Sequence, residues 1–213
     1  MSARSRGSPF VVAAPSGTGK TTVCLALRER DPRLIFSVSH TTRPRRPGER
    51  EGVDYHFVGV EEFQRLISAG AFLEWAIYNA NHYGTSWKAI EGPLADGLDV
   101  LLEIEVQGAR QVRRRLPDAR LIFLLPPSKA ALVRRLEGRG TDTAEQVAAR
   151  LRTAQRELEA VEEFDYAVVN DDLERCVASL LEIIAAERAG ATAELRRRFT
   201  PRAAAAALRA KAI

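Results

Sequence analysis

A glycine-rich segment followed by a lysine and a threonine is where this chain most clearly carries chemistry. Residues 14–21 read APSGTGKT and match the phosphate-loop pattern G-x-x-x-x-G-K-[ST] except at Ala14. Gly17 and Gly19 permit the positive φ angles that turn successive N–H groups toward phosphate oxygens. Lys20 adds a mobile positive charge, and Thr21 offers a hydroxyl to Mg²⁺. The alternative is an ordinary glycine-rich turn; the apolar run before it and the helical spacing after it favour the phosphate loop.

A second anion site is indicated by arginines in a polar segment further along the chain. Arg43, Arg46 and Arg50 lie close to Tyr55 in sequence. The planar, forked guanidinium group suits a phosphate bound through two hydrogen bonds. A solvated arginine loop is the alternative for these residues taken by themselves.

Glu74 is an acidic residue within the apolar run Phe72–Trp75. A buried carboxylate needs a partner, because an unpaired charge in an apolar environment is costly. Guanine is one candidate partner, since its N1–H and N2–H₂ form an edge with two neighbouring donors, whereas adenine has no such pair. An outward-facing glutamate on a strand with alternating faces is the other reading.

Alternating apolar runs and helical spacings position these residues. Short buried strands are predicted at 10–14, 34–39, 98–104, 120–125 and 166–170, with helices between them. Strands that alternate with helices predict right-handed βαβ units and a parallel sheet with helices on both faces. Further strands are predicted at 55–58 and 71–78 around a helix at 60–69, with a turn at 79–83. Ser128 is the predicted N-cap of one helix, and Thr143 with Gln146 is a candidate capping box for another.

Taken together, residues 9–187 resemble the guanylate kinases, the ATP:GMP phosphotransferases among the nucleoside-monophosphate kinases. The resemblance rests on several separate motifs: 14–21 APSGTGKT, 37–49 SVSHTTRPRRPGE, 52–57 GVDYHF, 72–75 FLEW, 83–85 YGT, 107–108 QG, 126–128 PPS, 139–141 RGT and 169–172 VNDD. It implies an α/β fold of the P-loop kinase type. This fold has a three-layer parallel-sheet core, an inserted mixed α/β GMP-binding subdomain and a helical lid.

The resemblance also implies a role for each matching residue. The ATP-binding residues would be Ala14, Pro15, Ser16, Gly17, Thr18, Gly19, Lys20, Thr21, Arg135 and Asn170. The GMP-binding residues would be Ser39, Arg43, Arg46, Tyr55, Glu74, Tyr83, Thr85 and Glu105. The catalytic residues would be Lys20, Arg43, Arg139 and Arg150. Mg²⁺ would arrive with ATP and be bound by Thr21.

One motif departs from the family pattern, and it lies next to the expected base site. Glu103-Ile104-Glu105 stands where the family usually has Asp-Ile-Asp. Each carboxylate is one methylene further from the backbone, so its contacts with guanine or with the water shell of Mg²⁺ must shift. His40, His56 and His82 are expected to be structural, because an acceptor phosphate with a second pKa of about 6 is already largely a dianion at neutral pH and needs no general base.

The expected domain organisation is one kinase-like domain with two different ends. Residues 1–8 are expected to be disordered and 9–187 to form the domain, with a core at 9–38 and 96–187, the GMP-binding subdomain at about 39–95 and the lid at about 135–157. Residues 188–213 form an Ala/Arg-rich tail. The tail has seven basic residues against Glu194, so the overall charge of +4 comes from this end. A solvated, frayed helix is the expectation for the tail; an RNA-binding or membrane-surface arm is the alternative.

Composition places the chain among globular proteins of a reducing compartment. It has 213 residues, 46% of them hydrophobic, and the two cysteines, Cys24 and Cys176, form no C-x-x-C pair. The longest apolar run near the N-terminus, 10–15, is too short for a signal peptide or a membrane span. We therefore expect a cytoplasmic protein that binds no membrane. The resemblance implies ATP and GMP as its ligands, and nucleic acid is not expected as a partner, the basic tail being its only indication. The oligomeric state is left open.

Two other functions compete with a guanylate kinase. The first is a kinase for another nucleoside monophosphate, such as AMP or dTMP, against which Glu74 argues. The second is a non-catalytic guanylate-kinase-like module that binds proteins. Such modules tend to have degraded phosphate loops, whereas Lys20 and Thr21 are present here.

Overall fold

A computed structural model describes residues 6–78, 80–137 and 144–210 of the chain. The strands are β1 (Pro9–Ala13), β2 (Leu34–Phe36), β3 (His40–Thr41), β4 (His56–Phe57), β5 (Phe72–Tyr78), β6 (Asn81–Ser86), β7 (Asp99–Glu103), β8 (Arg120–Leu125) and β9 (Tyr166–Val169). The α-helices are α1 (Lys20–Arg30), α2 (Val60–Ser68), α3 (Trp87–Ala95), α4 (Val106–Arg115), α5 (Lys129–Glu137), α6 (Ala144–Glu159), α7 (Leu173–Ala189), α8 (Ala193–Arg198) and α9 (Pro201–Ala210). A 3₁₀ turn, Ala160–Glu163, follows α6.

The chain divides into two compact units. The first contains Met1–Phe10 and Arg33–Ala119, and the second contains Val11–Pro32 and Arg120–Ile213. β1 belongs to both, and it is the middle strand of a five-stranded sheet with the order β2-β7-β1-β8-β9. The pairs β2–β7 and β8–β9 are parallel, as the alternation of strands and helices predicts.

The central strands are apolar because both of their faces are covered. Every residue of β1 is buried, and in β8 only Arg120 retains partial exposure. Such strands read as continuous runs of Val, Ile, Leu and Phe, without the alternation that marks a half-exposed strand. This is why the sequence reveals them clearly.

The first unit also contains a mixed four-stranded sheet with the order β4-β3-β6-β5. β5 and β6 form an antiparallel hairpin in which Glu74 lies opposite Thr85. Phe63 of α2 stacks on Phe72 of β5 with 4.6 Å between the ring centres, which holds the helix on the sheet. Glu74 therefore lies on β5, which is held by hydrogen bonds to β6 and by the packing of α2 against the sheet.

Helix α4 covers the outer edge of β5. The side-chain amide of Gln111 accepts a hydrogen bond from the N–H of Trp75 at 3.2 Å and donates one to its carbonyl at 2.6 Å. Arg115 donates to the carbonyls of Phe72 and Leu73 at 2.9 and 3.0 Å. A covered edge cannot pair with another chain, and its backbone groups are satisfied. These contacts fix the distance between α4 and β5.

The predicted turn at 79–83 is wrong for its last three residues, which belong to β6. The error arises because Asn81, His82 and Tyr83 are polar or ambivalent, so the segment lacks the apolar alternation of a strand. In the structure β6 forms because it pairs with β5 in a tight hairpin on one side and with β3, which is distant in sequence, on the other. The reversal uses Ala80, whose φ is 63°, a left-handed conformation that is uncommon for a residue other than glycine.

The predicted N-cap at Ser128 is confirmed, because the N–H of Ala131 donates to its hydroxyl at 3.1 Å. The structure adds a cap at Asp172, which accepts the N–H of Arg175 at 3.0 Å at the start of α7. Thr143, half of the candidate capping box before α6, falls in the segment 138–143 that the structure does not describe.

The division into two units differs from the predicted domains. The predicted subdomain was residues 39–95 alone, whereas the first unit also takes β2, β7 and α4. The β2–β7 pairing and the packing of α4 on β5 account for this. The subdomain boundaries and the lid at about 135–157 stay predictions.

The expectation of a frayed, solvated tail is wrong for residues 193–210. They form α8 and α9, and Leu195, Ala205 and Leu208 are buried. Helix α9 packs on the 3₁₀ turn and on β9, and the N–H of Ala167 in β9 donates to the carbonyl of Phe199 at 2.9 Å. Apolar residues spaced three apart, as in Ala205 and Leu208, give α9 one buried side. The many arginines of this segment hid that pattern.

None of the helices in the described parts of the chain combines the length and apolar character that crossing a membrane requires.

We expect Leu208→Ala to lower the free energy of unfolding by about 2 kcal/mol or more, because a buried leucine loses its transfer free energy and leaves a cavity. Arg202→Ala on the exposed side of the same helix is the control and should change it by less than about 0.5 kcal/mol. Urea unfolding followed by circular dichroism measures both. Equal values for the two variants would mean that α9 is not packed in solution.

Candidate active site

The phosphate loop connects β1 to α1 in the second unit. Gly17 and Gly19 have φ angles of 87° and 93°, as predicted. The N–H of Thr18 donates to the carbonyl of Pro15 at 3.1 Å, which closes the turn. Gly19 is the N-cap of α1 and Lys20 its first residue. The first turn of α1 has no acidic residue, so the positive end of the helix dipole is not neutralised there. This geometry suits an anion bound by backbone N–H groups.

Two residues predicted to contact ATP brace this loop from the protein side. The amide of Asn170 donates to the carbonyl of Thr18 at 2.7 Å, and the guanidinium of Arg135 donates to the same carbonyl at 3.1 Å. Arg135 also donates to the carbonyl of Asn170 at 3.3 Å. Both residues therefore lie at the loop, as the motif assignment requires, and they stabilise its backbone through these hydrogen bonds.

Crowding explains why the loop uses glycine. A Cβ on Gly17 would lie 3.0 Å from Leu136 of α5, and one on Gly19 would lie 2.9 Å from the Asn170 amide nitrogen. The loop therefore sits directly on α5 and on the residue that follows β9. The hydroxyl of Thr18 is buried and has no hydrogen-bond partner among the described residues.

The predicted lid residues are placed only in part. Arg150 lies on α6 and is half-buried, and Leu151 and Leu158 of the same helix pack against the buried cluster of Leu132, Leu136 and Ala154. This packing joins α6 to α5. Arg139 lies outside the described residues, so its role stays a prediction.

Glu74 is buried, with 3% of its surface exposed, which excludes the outward-facing reading. One oxygen of its carboxylate, Oε1, accepts the N–H of Thr85 at 2.8 Å. The hydroxyls of Thr85 and Ser39 lie 3.1 Å apart and share a hydrogen bond. Three of the residues predicted to bind GMP are thus joined in one network in the first unit.

Arg43 is held in a fixed orientation by an acidic residue that sequence reasoning missed. Glu49 accepts both arms of its guanidinium, at 2.7 and 3.0 Å, and also the N–H of Arg46 at 2.7 Å. Hydrogen bonding to Arg43 lowers the pKa of the Glu49 carboxyl, and the same pair raises the pKa of Arg43. Both groups therefore stay charged at neutral pH.

A turn places Glu49 where it can reach Arg43. The N–H of Glu49 donates to the carbonyl of Arg46 at 3.2 Å, with Pro47 and Gly48 between them and a φ of 87° at Gly48. Proline followed by a glycine with positive φ is the signature of a type II turn. The segment RPGE in the sequence was the signal that could have revealed this pair.

Aromatic rings complete the surroundings of Arg43. Its guanidinium carbon lies 5.4 Å from the ring centre of Tyr55 and 5.8 Å from that of Phe57. Tyr55 and Tyr83 meet edge to face with 6.1 Å between their ring centres. The structure therefore groups Arg43, Tyr55 and Tyr83, as predicted for one phosphate site, whereas the side chain of Arg46 is exposed.

The acidic residues 103 and 105 lie where β7 ends and α4 begins. Glu103 is the last residue of β7, and Glu105 is the N-cap of α4; both are half-buried. The motif Gln107-Gly108 follows in the first turn of α4. A Cβ on Gly108 would lie 2.3 Å from Oε2 of Glu74, so α4 touches the carboxylate directly at this position.

The comparisons with known proteins agree with one another. A family model described as guanylate kinase matches residues 6–187. The chain is 50% identical over 187 residues to a guanylate kinase of Mannheimia succiniciproducens, covering 86% of this chain and 90% of that protein. It is 52% identical over 188 residues to one of Neisseria gonorrhoeae, covering 88% and 92%. The crystal structure of guanylate kinase from Anaplasma phagocytophilum matches with a TM-score of 0.72 and 36% identity, over 86% of this chain and 87% of that one.

Alanine at Gly19 tests the fit of the phosphate loop, with Gly70→Ala as its control. Both positions have a positive φ, so each substitution should cost about 1 kcal/mol of unfolding free energy. A Cβ at Gly70 meets nothing within 4 Å, whereas one at Gly19 would press on Asn170. Gly19→Ala should therefore lose more stability and weaken ATP binding, measured by urea unfolding and calorimetry. Unchanged ATP affinity would show that these N–H groups do not bind the nucleotide.

Proposed function

This chain belongs to the guanylate kinase family, and we propose on that premise that it transfers the γ-phosphoryl group of ATP to GMP, giving ADP and GDP. It is a nucleoside-monophosphate kinase. The observation that carries the choice of acceptor is the buried carboxylate of Glu74, which is held in the unit that also contains Arg43 and Tyr83.

We assign the ATP phosphates to the loop at residues 14–21. Its N–H groups and the start of α1 supply hydrogen bonds and positive potential, and Lys20 supplies a full charge. Asn170 and Arg135 support this role because they hold the carbonyl of Thr18 and so keep that carbonyl turned away from an anion. The buried hydroxyl of Thr18 is a further polar group at this loop.

Mg²⁺ fits the residues of the loop. Thr21 is the second residue of α1 and is exposed, and its hydroxyl is the kind of hard oxygen ligand that Mg²⁺ prefers. Mg²⁺ commonly takes few ligands from the protein and the rest from phosphates and water, so one hydroxyl suffices. When bound with ATP, the ion would neutralise charge on the β- and γ-phosphates.

We assign the GMP phosphate to Arg43, Arg46, Tyr55, Tyr83 and Ser39. Arg43 supports this assignment because Glu49 holds its guanidinium in one orientation beside Tyr55, which meets Tyr83 edge to face. An arginine that is already ordered loses little entropy when it binds a phosphate. The exposed Arg46 is free to approach the same anion.

We assign the guanine base to Glu74, Thr85 and Glu105, of which Thr85 is the direct partner of Glu74 in the hairpin. A carboxylate can accept the N1–H and N2–H₂ donors of guanine together, and Thr85 fixes its orientation through the backbone N–H. The matching edge of adenine presents an acceptor and a C–H, and would place a lone pair against the carboxylate where guanine places two donors. The geometry therefore favours GMP over AMP, which was the first alternative.

Catalysis in this assignment is positioning and charge neutralisation. The acceptor phosphate is largely a dianion at pH 7 and can attack without a general base. The developing charge on the transferred group would be stabilised by Lys20, Arg43 and Arg150 together with Mg²⁺. Arg139 joins them as a sequence prediction. A non-catalytic module would not need this set of cations.

Two assignments reach beyond the family. We propose that the protein acts in the cytoplasm, which is supported by its two buried cysteines, Cys24 and Cys176, neither of which is in a disulfide. We also propose that nucleic acid is not a partner, because part of the basic charge of the tail is paired: Arg198 binds Glu182, and Arg196 lies 3.4 Å from Glu187.

A coupled assay of ADP release with ATP and GMP, IMP, AMP or dTMP as the acceptor tests the function. GMP should be used best and AMP worst. Release of ADP without any monophosphate, or equal use of all four, would contradict the assignment.

Lys20→Ala should lower kcat at least about a hundredfold, because Lys20 meets negative charge that develops during transfer. Lys88→Ala, on the exposed side of α3, is the matched control and should leave kcat unchanged. The variants are compared in the same assay after circular dichroism shows that both fold. An Lys20→Ala enzyme within tenfold of the parent protein would remove Lys20 from the catalytic set.

Glu74→Gln should reduce kcat/KM for GMP and narrow the gap between GMP and AMP, since an amide accepts one donor but turns its own N–H₂ toward the other. Sites built on buried polar partners reject the wrong ligand by about 10⁴-fold, so the change is large enough to measure. Glu91→Gln, at an exposed position of α3, serves as the control and should leave both values unchanged. If the ratio of kcat/KM for GMP to that for AMP were unchanged, Glu74 would not be the residue that recognises the base, and Glu105 or Thr85 would take that role.

A further inference from the structure

We propose that Gly108 is a specificity-determining position, because the absence of a side chain there leaves the Glu74 carboxylate the space to keep the orientation in which it would accept the donors of the base. The inference rests on the proposed function. It explains the Gln107-Gly108 motif, to which the proposed ATP and GMP contacts assign no role.

The contact between α4 and Glu74 is too close for any side chain. A Cβ on Gly108 would lie 2.3 Å from Oε2 of Glu74, 3.1 Å from its Cδ and 3.4 Å from Cδ1 of Ile104. Gly108 lies within α4 and its φ is not positive, so alanine can adopt this backbone without strain. Alanine is also the better helix former. Space is therefore the reason for glycine here.

The carboxylate is fixed at its other oxygen. Oε1 accepts the N–H of Thr85 at 2.8 Å, and Glu74 and Thr85 are direct partners in the β5–β6 hairpin. With 3% of its surface exposed, Glu74 has little room for another rotamer. A methyl group at position 108 would push the carboxyl group against this hydrogen bond.

Helix α4 is fixed as well. Gln111, three residues after Gly108, binds the N–H and carbonyl of Trp75, the neighbour of Glu74. Arg115, seven residues after Gly108, binds the carbonyls of Phe72 and Leu73. Positions 108, 111 and 115 lie on one face of the helix. The helix cannot withdraw from β5 without breaking these bonds, so the crowding falls on the carboxylate.

Displacement of the carboxylate affects recognition of the base more than transfer. Reading guanine requires two oxygens beside two neighbouring donors, N1–H and N2–H₂. Inosine lacks the N2–H₂ group, so IMP needs only one of these hydrogen bonds. A displaced carboxylate therefore loses more with GMP than with IMP, while the phosphate site at Arg43 and Tyr83 is unchanged.

The test compares Gly108→Ala with Gly92→Ala. Gly92 also lies inside a helix, α3, and a Cβ there meets nothing within 4 Å, so the control makes the same chemical change without crowding. We expect Gly108→Ala to raise KM for GMP by about tenfold to a hundredfold, the range of a hydrogen bond to a charged group. We expect kcat to change little and the GMP-to-IMP ratio of kcat/KM to fall. Gly92→Ala should keep all three values.

A second arm deals with a variant that does not fold. In Glu74→Ala/Gly108→Ala the carboxylate is gone, so the methyl group has space and the double variant should be more stable than Gly108→Ala in urea unfolding. Its GMP-to-IMP ratio should equal that of Glu74→Ala. If the double variant is no more stable than Gly108→Ala, the crowding does not involve Glu74 and the proposal fails.

The outcomes separate this inference from the function on which it rests. If the parent protein and Gly92→Ala do not transfer phosphate to GMP, the proposed function is wrong. If both are active and Gly108→Ala retains the GMP KM and the GMP-to-IMP ratio of the parent, the function stands and Gly108 does not determine specificity.

Discussion

A carboxylate buried in an apolar sheet is the constraint around which the first unit is arranged. Removing the charge of Glu74 from water is unfavourable unless hydrogen bonds replace the lost solvent. The hairpin register provides one, from the N–H of Thr85, and the glycine on α4 leaves space for the second oxygen. Gln111 and Arg115 then fix the helix at the distance that this arrangement needs. Strands β5 and β6 and helix α4 thus together form the surroundings of one charged group.

The phosphate loop solves the opposite problem, because it must hold positive potential without burying a charge. Backbone N–H groups and the end of α1 provide that potential, and they require glycines where φ is positive and neighbours are close. The carbonyl of Thr18 would repel an anion, and the structure binds it to Asn170 and Arg135. Residues that the motif assigns to nucleotide binding therefore also shape the loop, and substituting them would disturb both tasks.

The sequence predicts well those features that depend on neighbours along the chain. The loop at residues 14–21, the buried strands and the cap at Ser128 are local patterns, and the structure contains them. The start of β6 was missed because its residues are polar or ambivalent and because its pairing with β3 depends on residues far away in the chain. The pair of Arg43 and Glu49 was missed because opposite charges six residues apart carry no periodic signal in a loop. Glu74 was recognised as unusual, but its burial became certain only once α4 was in place.

The C-terminal helices show where a family boundary and a structural boundary differ. The family model ends at residue 187, inside α7, yet the chain continues into α8 and α9. β9 is the last strand of its sheet, so one side of it lacks a strand partner. The carbonyl of Phe199 accepts the N–H of Ala167 on β9, and α9 packs beside it. An edge strand with exposed N–H groups invites pairing with another chain. The basic, alanine-rich end therefore covers part of this edge of β9 in the described structure.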